Sequence, residues 1–154
     1  MSRFRASLRG SLFAFAALLS GCASLGTSRL SAAQDVELFQ SHAGEPIKAF
    51  SPFGGISQWE TVGDSAVAVW TKPDTAYLLG VAEGCLDLEW SPRLSLSREH
   101  DRVYAGFNHV LVRRPGEKDA KRCRIETIQP LDVQALRAAQ ARARPGALKL
   151  SEAG

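Results

Sequence analysis

The sequence predicts a mainly β protein: a small antiparallel β-barrel or sandwich of six to seven strands, with a short N-terminal helix and a C-terminal helix. Three observations predict it. From Ile56 to Gln129 apolar residues recur largely with period two, the signature of strands with two distinct faces. Turn residues punctuate these runs at short intervals. On either side, Ala32–Ser41 and Asp132–Ala143 change to helical spacing. A flat open sheet of such strands would expose long edges, so the strands are expected to curl into a barrel or stack as a sandwich.

The elements follow in order. Ala32–Ser41 (AAQDVELFQS) sets Val36 and Phe39 on one helical face, and Gly44-Glu45-Pro46 stops it. Ser51-Pro52-Phe53-Gly54-Gly55 reads as a loop. Ser65–Thr71 and Ala76–Val81 flank Lys72-Pro73-Asp74-Thr75, where Pro presets φ for a turn, so these two runs make a hairpin. Val67 and Val69 fall on one face, and Ala66, Ala68 and Trp70 on the other. Both faces are apolar, which suits a central hairpin covered on both sides. Cys85–Trp90 alternates and brings Asp87 and Glu89 to one face. Arg93–Ser97 reads as a half-exposed strand. Val103–Phe107 and His109–Arg113 are expected to form an apolar pair broken near Gly106–Asn108. Pro115–Lys121 is a solvated loop, and Cys123–Gln129 is the last strand. Asp132 caps a helix through Ala143, with Val133, Leu136, Ala139 and Ala143 on its apolar side and Pro145-Gly146 beyond it.

The first 21 residues have a different purpose. Arg3, Arg5 and Arg9 precede a short apolar run, Leu12–Leu19, and Ser20-Gly21 are small residues before Cys22. That is the layout of a secretory signal peptide, and the run falls short of the about 20 apolar residues needed to span a bilayer. Leu19-Ser20-Gly21-Cys22 resembles a bacterial lipobox. The resemblance implies a diacylglycerol thioether on Cys22, cleavage before it and N-acylation, that is, a palmitate-bearing anchor. The alternative is an ordinary cleaved signal with a chance cysteine. Ala23, where an Asp would favour the inner membrane, points to an outer-membrane lipoprotein facing the periplasm. The expected organisation is a signal peptide (1–21), a flexible tether (22–31), a single β-rich domain including the C-terminal helix (32–144) and a disordered tail (145–154).

Cleavage would remove three basic residues and leave 16 basic against 16 acidic. The whole-chain charge of +3 therefore carries no argument for nucleic acid as a partner. Charge is unevenly placed, however: residues 113–149 hold 10 basic and 4 acidic residues. Arg137, Arg142, Arg144 and Lys149 lie along the helix and tail with no acid between Asp132 and Glu152, after Arg113, Arg114, Lys118, Lys121, Arg122 and Arg124. This segment is either a solvated face or a contact with anionic envelope material, with Arg137, Arg142 and Arg144 as the expected contact residues.

Beyond Cys22 only Cys85 and Cys123 remain. An even pair in an oxidising compartment argues for a disulfide, with two free thiols as the alternative. Neither has a CxxC partner or a nearby histidine, which argues against a metal site.

Four stretches carry a wider resemblance: "GEPI" at Gly44, "VGDSAVAVWTKPDTAYLLGVAEGC" at Val62, "RVYAGFNHVLV" at Arg102 and "CRIETIQPLD" at Cys123. Together they resemble a family of small bacterial envelope lipoproteins known only as a domain of unknown function. The resemblance supports a bridge between Cys85 and Cys123 and a single domain, and implies no activity.

Catalytic signatures are missing from the sequence. There is no G-x-S-x-G elbow, and Gly54-Gly55 lacks the following Lys-Ser/Thr of a phosphate loop. Carboxylate pairs for glycoside hydrolysis are defined by spatial separation, which sequence does not supply. His42, His100 and His109 stand in no metal spacing; a weak site joining His100-Asp101 to Asp87 and Glu89 competes with a plain polar turn in Arg98-Glu99-His100-Asp101-Arg102. Among the aromatics, Trp70, Tyr77 and Phe107 suit the core, while Trp59 and Trp90, beside acids and near element ends, are candidates to line a groove for glycan or peptide. The expected function is a lipid-anchored, non-catalytic binding or structural module that needs no cofactor or metal and meets an envelope protein or cell-wall polymer. The alternative is a small-ligand-binding or hydrolytic lipoprotein with a pocket that sequence does not reveal.

Overall fold

The hairpin expected around Pro73 forms and occupies the middle of the sheet. The structure is a computed structural model that describes residues 32–85 and 93–143. The expected signal peptide and tether, Cys22, Asp87, Glu89, Trp90, Arg144, Lys149 and the expected tail lie outside the described residues. Chain order is α1 (Ala32–Ser41), β1 (Ala49–Phe50), β2 (Gln58–Val62), β3 (Ala66–Lys72), β4 (Thr75–Val81), β5 (Arg93–Leu96), β6 (Val103–Tyr104), β7 (His109–Arg113), β8 (Lys121–Leu131) and α2 (Val133–Ala143). Six strands make one antiparallel sheet in the order β2-β3-β4-β8-β7-β5. It curls into a nearly closed barrel, with β2 and β5 facing each other across the seam.

Alternation in β3 and β4 divides the apolar residues between two cores. Val67, Val69, Leu79 and Val81 point into the barrel with Val110, Val112, Cys123, Ile125 and Ile128. Ala68, Trp70, Ala76 and Leu78 point outward and are covered by Phe39 of α1 and by Val133 and Leu136 of α2. Phe39 meets Trp70 edge to face, with ring centroids 6.5 Å apart. The two-sided burial read from the sequence is thus explained by a filled barrel on one side and two helices on the other. Asp132 caps α2 by accepting a hydrogen bond from the Ala135 N–H at 2.9 Å.

Strand β8 is longer than Cys123–Gln129, because it serves two neighbours in succession. Lys121–Arg124 pairs with β7, and Ile125–Leu131 pairs with β4. A bulge lies where Gly80 pairs Thr127 but Val81 pairs Ile125. One extra residue there reverses the facing of everything beyond it. Cys123 and Ile125 point inward, and so does Ile128, three residues on. Gly80 makes the bulge possible: a Cβ there would strike the Thr127 hydroxyl. Pro130 lacks an N–H, yet its carbonyl accepts from Gly44 N–H at 2.8 Å, so this end of β8 is flanked on its second edge by the segment after α1.

Two expectations are corrected. Val103–Phe107 does not pair with β7; only Val103 and Tyr104 are extended, and they pair with Phe50 and Ala49 of β1. That two-residue strand is too short to carry a periodic signal. Phe107 is not core but 61 % exposed, because the chain turns at Gly106 (φ +76°) and lifts it off the sheet. Phe50 and Val103 instead enter the barrel's buried cluster, and Phe50 stacks on Tyr77 with centroids 4.1 Å apart.

Candidate functional site

The two cysteines are joined. Cys85, four residues past β4, bridges Cys123 on β8 with Cα atoms 5.7 Å apart. The bridge ties the end of the central hairpin to β8 where that strand passes from β7 to β4.

Trp59 lies on β2 at the seam. A cleft of about 540 Å³ opens there, lined by Ser57, Gln58 and Trp59 on one side and by Arg93, Ser95 and Arg113 on the other. Trp59 is only half-buried, packed against the barrel cluster. Its proposed companion in a groove, Trp90, lies outside the described residues.

The fold divides the basic segment that is continuous in sequence. Arg137 on α2 is held on the helical flank, donating from Nη2 to the Pro73 carbonyl at 2.5 Å. Arg142 is exposed on the last turn of α2. The strand arginines lie elsewhere. On β7 and β8, Val110, Val112 and Cys123 point inward, so Arg113, Arg122 and Arg124 point out, and all three are exposed. Arg93 on β5 stands directly opposite Arg113, Leu111 opposite Arg122, and His109 opposite Arg124. The His109 imidazole is held below its ordinary value of 6.5, first by burial and then by the positive charges of Arg122 and Arg124. Arg93 sits 20 residues from Arg113 in sequence, so only strand pairing reveals that they belong together.

Asn108 is a structural residue that sequence reasoning passed over. It is a buried polar side chain, 3 % exposed. Its Oδ1 accepts from Tyr104 N–H at 2.7 Å, and its Nδ2 donates to Ser97 Oγ at 3.2 Å. The same Ser97 oxygen accepts from His109 N–H at 2.8 Å. Asn108 thus joins the turn after β6 to the end of β5. The polar run around His100-Asp101 is a tight turn: both residues have positive φ, and Glu99 and Arg102 exchange backbone hydrogen bonds across it. Among the described residues, no three His, Cys, Asp or Glu side chains gather to hold a metal ion. Among them also, no helix is long and apolar enough to cross a membrane.

A nearly closed, disulfide-stapled antiparallel barrel with two helices on one flank defines a small mainly β protein with a filled interior. The model of a family of unknown function, DUF6491, matches residues 5–147, and the chain belongs to that family. No curated protein and no solved structure matches it.

Proposed function

We propose that this chain is a lipid-anchored protein of the bacterial cell envelope, held by an acylated Cys22 at the outer membrane and facing the periplasm. Its barrel acts there as a non-catalytic binding module. The observation that carries this reading is the packing of the barrel. Val67, Val69, Leu79, Val110, Ile125 and Ile128 fill it and are each 0 % exposed, so a partner meets the outer surface and not an internal pocket. Ligand-binding barrels instead keep a cavity. The Cys85–Cys123 bridge supports an oxidising compartment, and Leu19-Ser20-Gly21-Cys22 supports the anchor.

The experiment is palmitate labelling with envelope fractionation. Labelled palmitate is expected to enter the wild-type chain and not Cys22→Ser, with the wild type in the outer-membrane fraction. A wild-type chain that takes up no palmitate overturns the anchor.

A second reading is a small-ligand site, favoured by the seam cleft beside Trp59. It expects that glycan fragments perturb tryptophan fluorescence and that Trp59→Ala abolishes the response.

A further inference from the structure

We propose that the outward face of β5, β7 and the first half of β8 docks on an anionic phospholipid bilayer through Arg93, Arg113, Arg122 and Arg124, with Phe107 entering the headgroup layer. This deepens the envelope reading above, which supplies the bilayer.

The first argument is charge. The four guanidinium groups are exposed and spread over three adjacent strands. None of the four forms an ion pair with a carboxylate among the described residues, where Glu117 is turned to Arg114 and Glu99 to His100. Arg93 and Arg113 are direct cross-strand partners. Like charges so placed destabilise a sheet, and bound anions relieve that repulsion. His109 beside them is held low first by burial, and the positive charges of Arg122 and Arg124 add to that.

The second argument is polarity. The face is the outer wall of the barrel, and at its β5 edge Arg93, Leu111 and Arg113 border the seam cleft. Leu111 sits half-buried among the arginines. Phe107, two residues before β7, exposes 61 % of its surface. Basic residues beside an exposed aromatic are the combination that suits a membrane interface.

The helical flank is the poorer candidate. The Arg137 guanidinium donates to the β3–β4 turn, and α1 and α2 are spent covering the hairpin.

The test uses the chain from residue 22 onward with Cys22→Ser, which keeps every described element. It is sedimented with phosphatidylcholine vesicles, and with vesicles containing phosphatidylglycerol, at low and high salt. Binding is expected only to the anionic vesicles and is expected to fade at high salt. Each arginine is worth roughly fivefold in affinity near such a surface, so Arg122→Gln with Arg124→Gln weakens binding roughly 25-fold. The Arg122→Lys, Arg124→Lys pair keeps the charge and most of the binding. Phe107→Ser weakens binding that persists at high salt, and Arg137→Gln with Arg142→Gln leaves binding unchanged. Equal binding to both vesicle types, no binding at low salt, or loss through the helix pair overturns the proposal. So does binding to soluble polyphosphate without binding to vesicles, which would mark a polymer site. The chain tested carries no acyl group, so a negative result leaves the Cys22 anchor standing, and failure of palmitate labelling leaves this face standing.

Discussion

Cys85 and Cys123, 38 residues apart in sequence, are bridged at the point where β8 exchanges β7 for β4 as its neighbour. The half-sheets β2-β3-β4 and β7-β5 share only β8, so the bridge pins the joint between them. Replacing both cysteines with alanine leaves no stray thiol and releases the unfolded chain from a 38-residue loop. The expected loss is ~4 kcal/mol, read as a lower urea midpoint under oxidising conditions. A midpoint equal to wild type would show that the joint holds without the bridge.

Asn108 should be the most sensitive polar position in the described core. Asn108→Ala leaves the Tyr104 N–H without its side-chain acceptor and removes one of the two donors to Ser97 Oγ, in a half-buried place. The expected cost is about 1–3 kcal/mol in chemical denaturation. Ser97→Ala spares the Tyr104 bond but takes the acceptor from both Asn108 Nδ2 and the His109 N–H, so its cost should be of the same size.

Gly63 turns the chain between β2 and β3 at φ +60°, and a Cβ there would come within 2.6 Å of Val36 Cγ2 on α1. Gly63→Ala therefore strains the turn and displaces the helix. The expected destabilisation is about 1–3 kcal/mol. Val36→Ala in the same chain should restore the part that is due to the clash, so the two changes should couple positively in a double-mutant cycle.

Stability should depend on pH through His109. Its folded value is depressed below 6.5, so the neutral imidazole is the form the fold accepts. The unfolded chain then binds the proton more readily, and linkage makes stability rise with pH across that window. Stability is full above 6.5 and is lost as pH falls from there towards the folded value. His109→Gln should flatten the melting temperature between pH 5 and 7 relative to wild type. An unchanged slope would place the titrating group elsewhere.

Much of the architecture was legible because it rests on local chemistry. Alternation in Ala66–Val81 named the hairpin and both of its covered faces, and Pro73-Asp74 named its turn. Asp132 named the cap of α2, and Val133 and Leu136 its buried side. The pair of cysteines named the bridge. These features are written in side-chain period and in a few residues that bias the backbone nearby, and neighbouring residues suffice to read them. What the sequence could not determine depends on which distant strands become neighbours. The β1–β6 pairing consists of two residues on each side, too few for a period. The bulge opposite Gly80 breaks the alternation of β8, so Ile128 returns to the interior against simple counting. The arginine face unites Arg93 with Arg113, Arg122 and Arg124 only because β5 pairs with β7 and β7 with β8. The same pairing separates those arginines from Arg137, whose guanidinium is bound to the Pro73 carbonyl. Charge in sequence is a one-dimensional tally, whereas a surface is made by strand order, and strand order was set by long-range pairing that no local window contains.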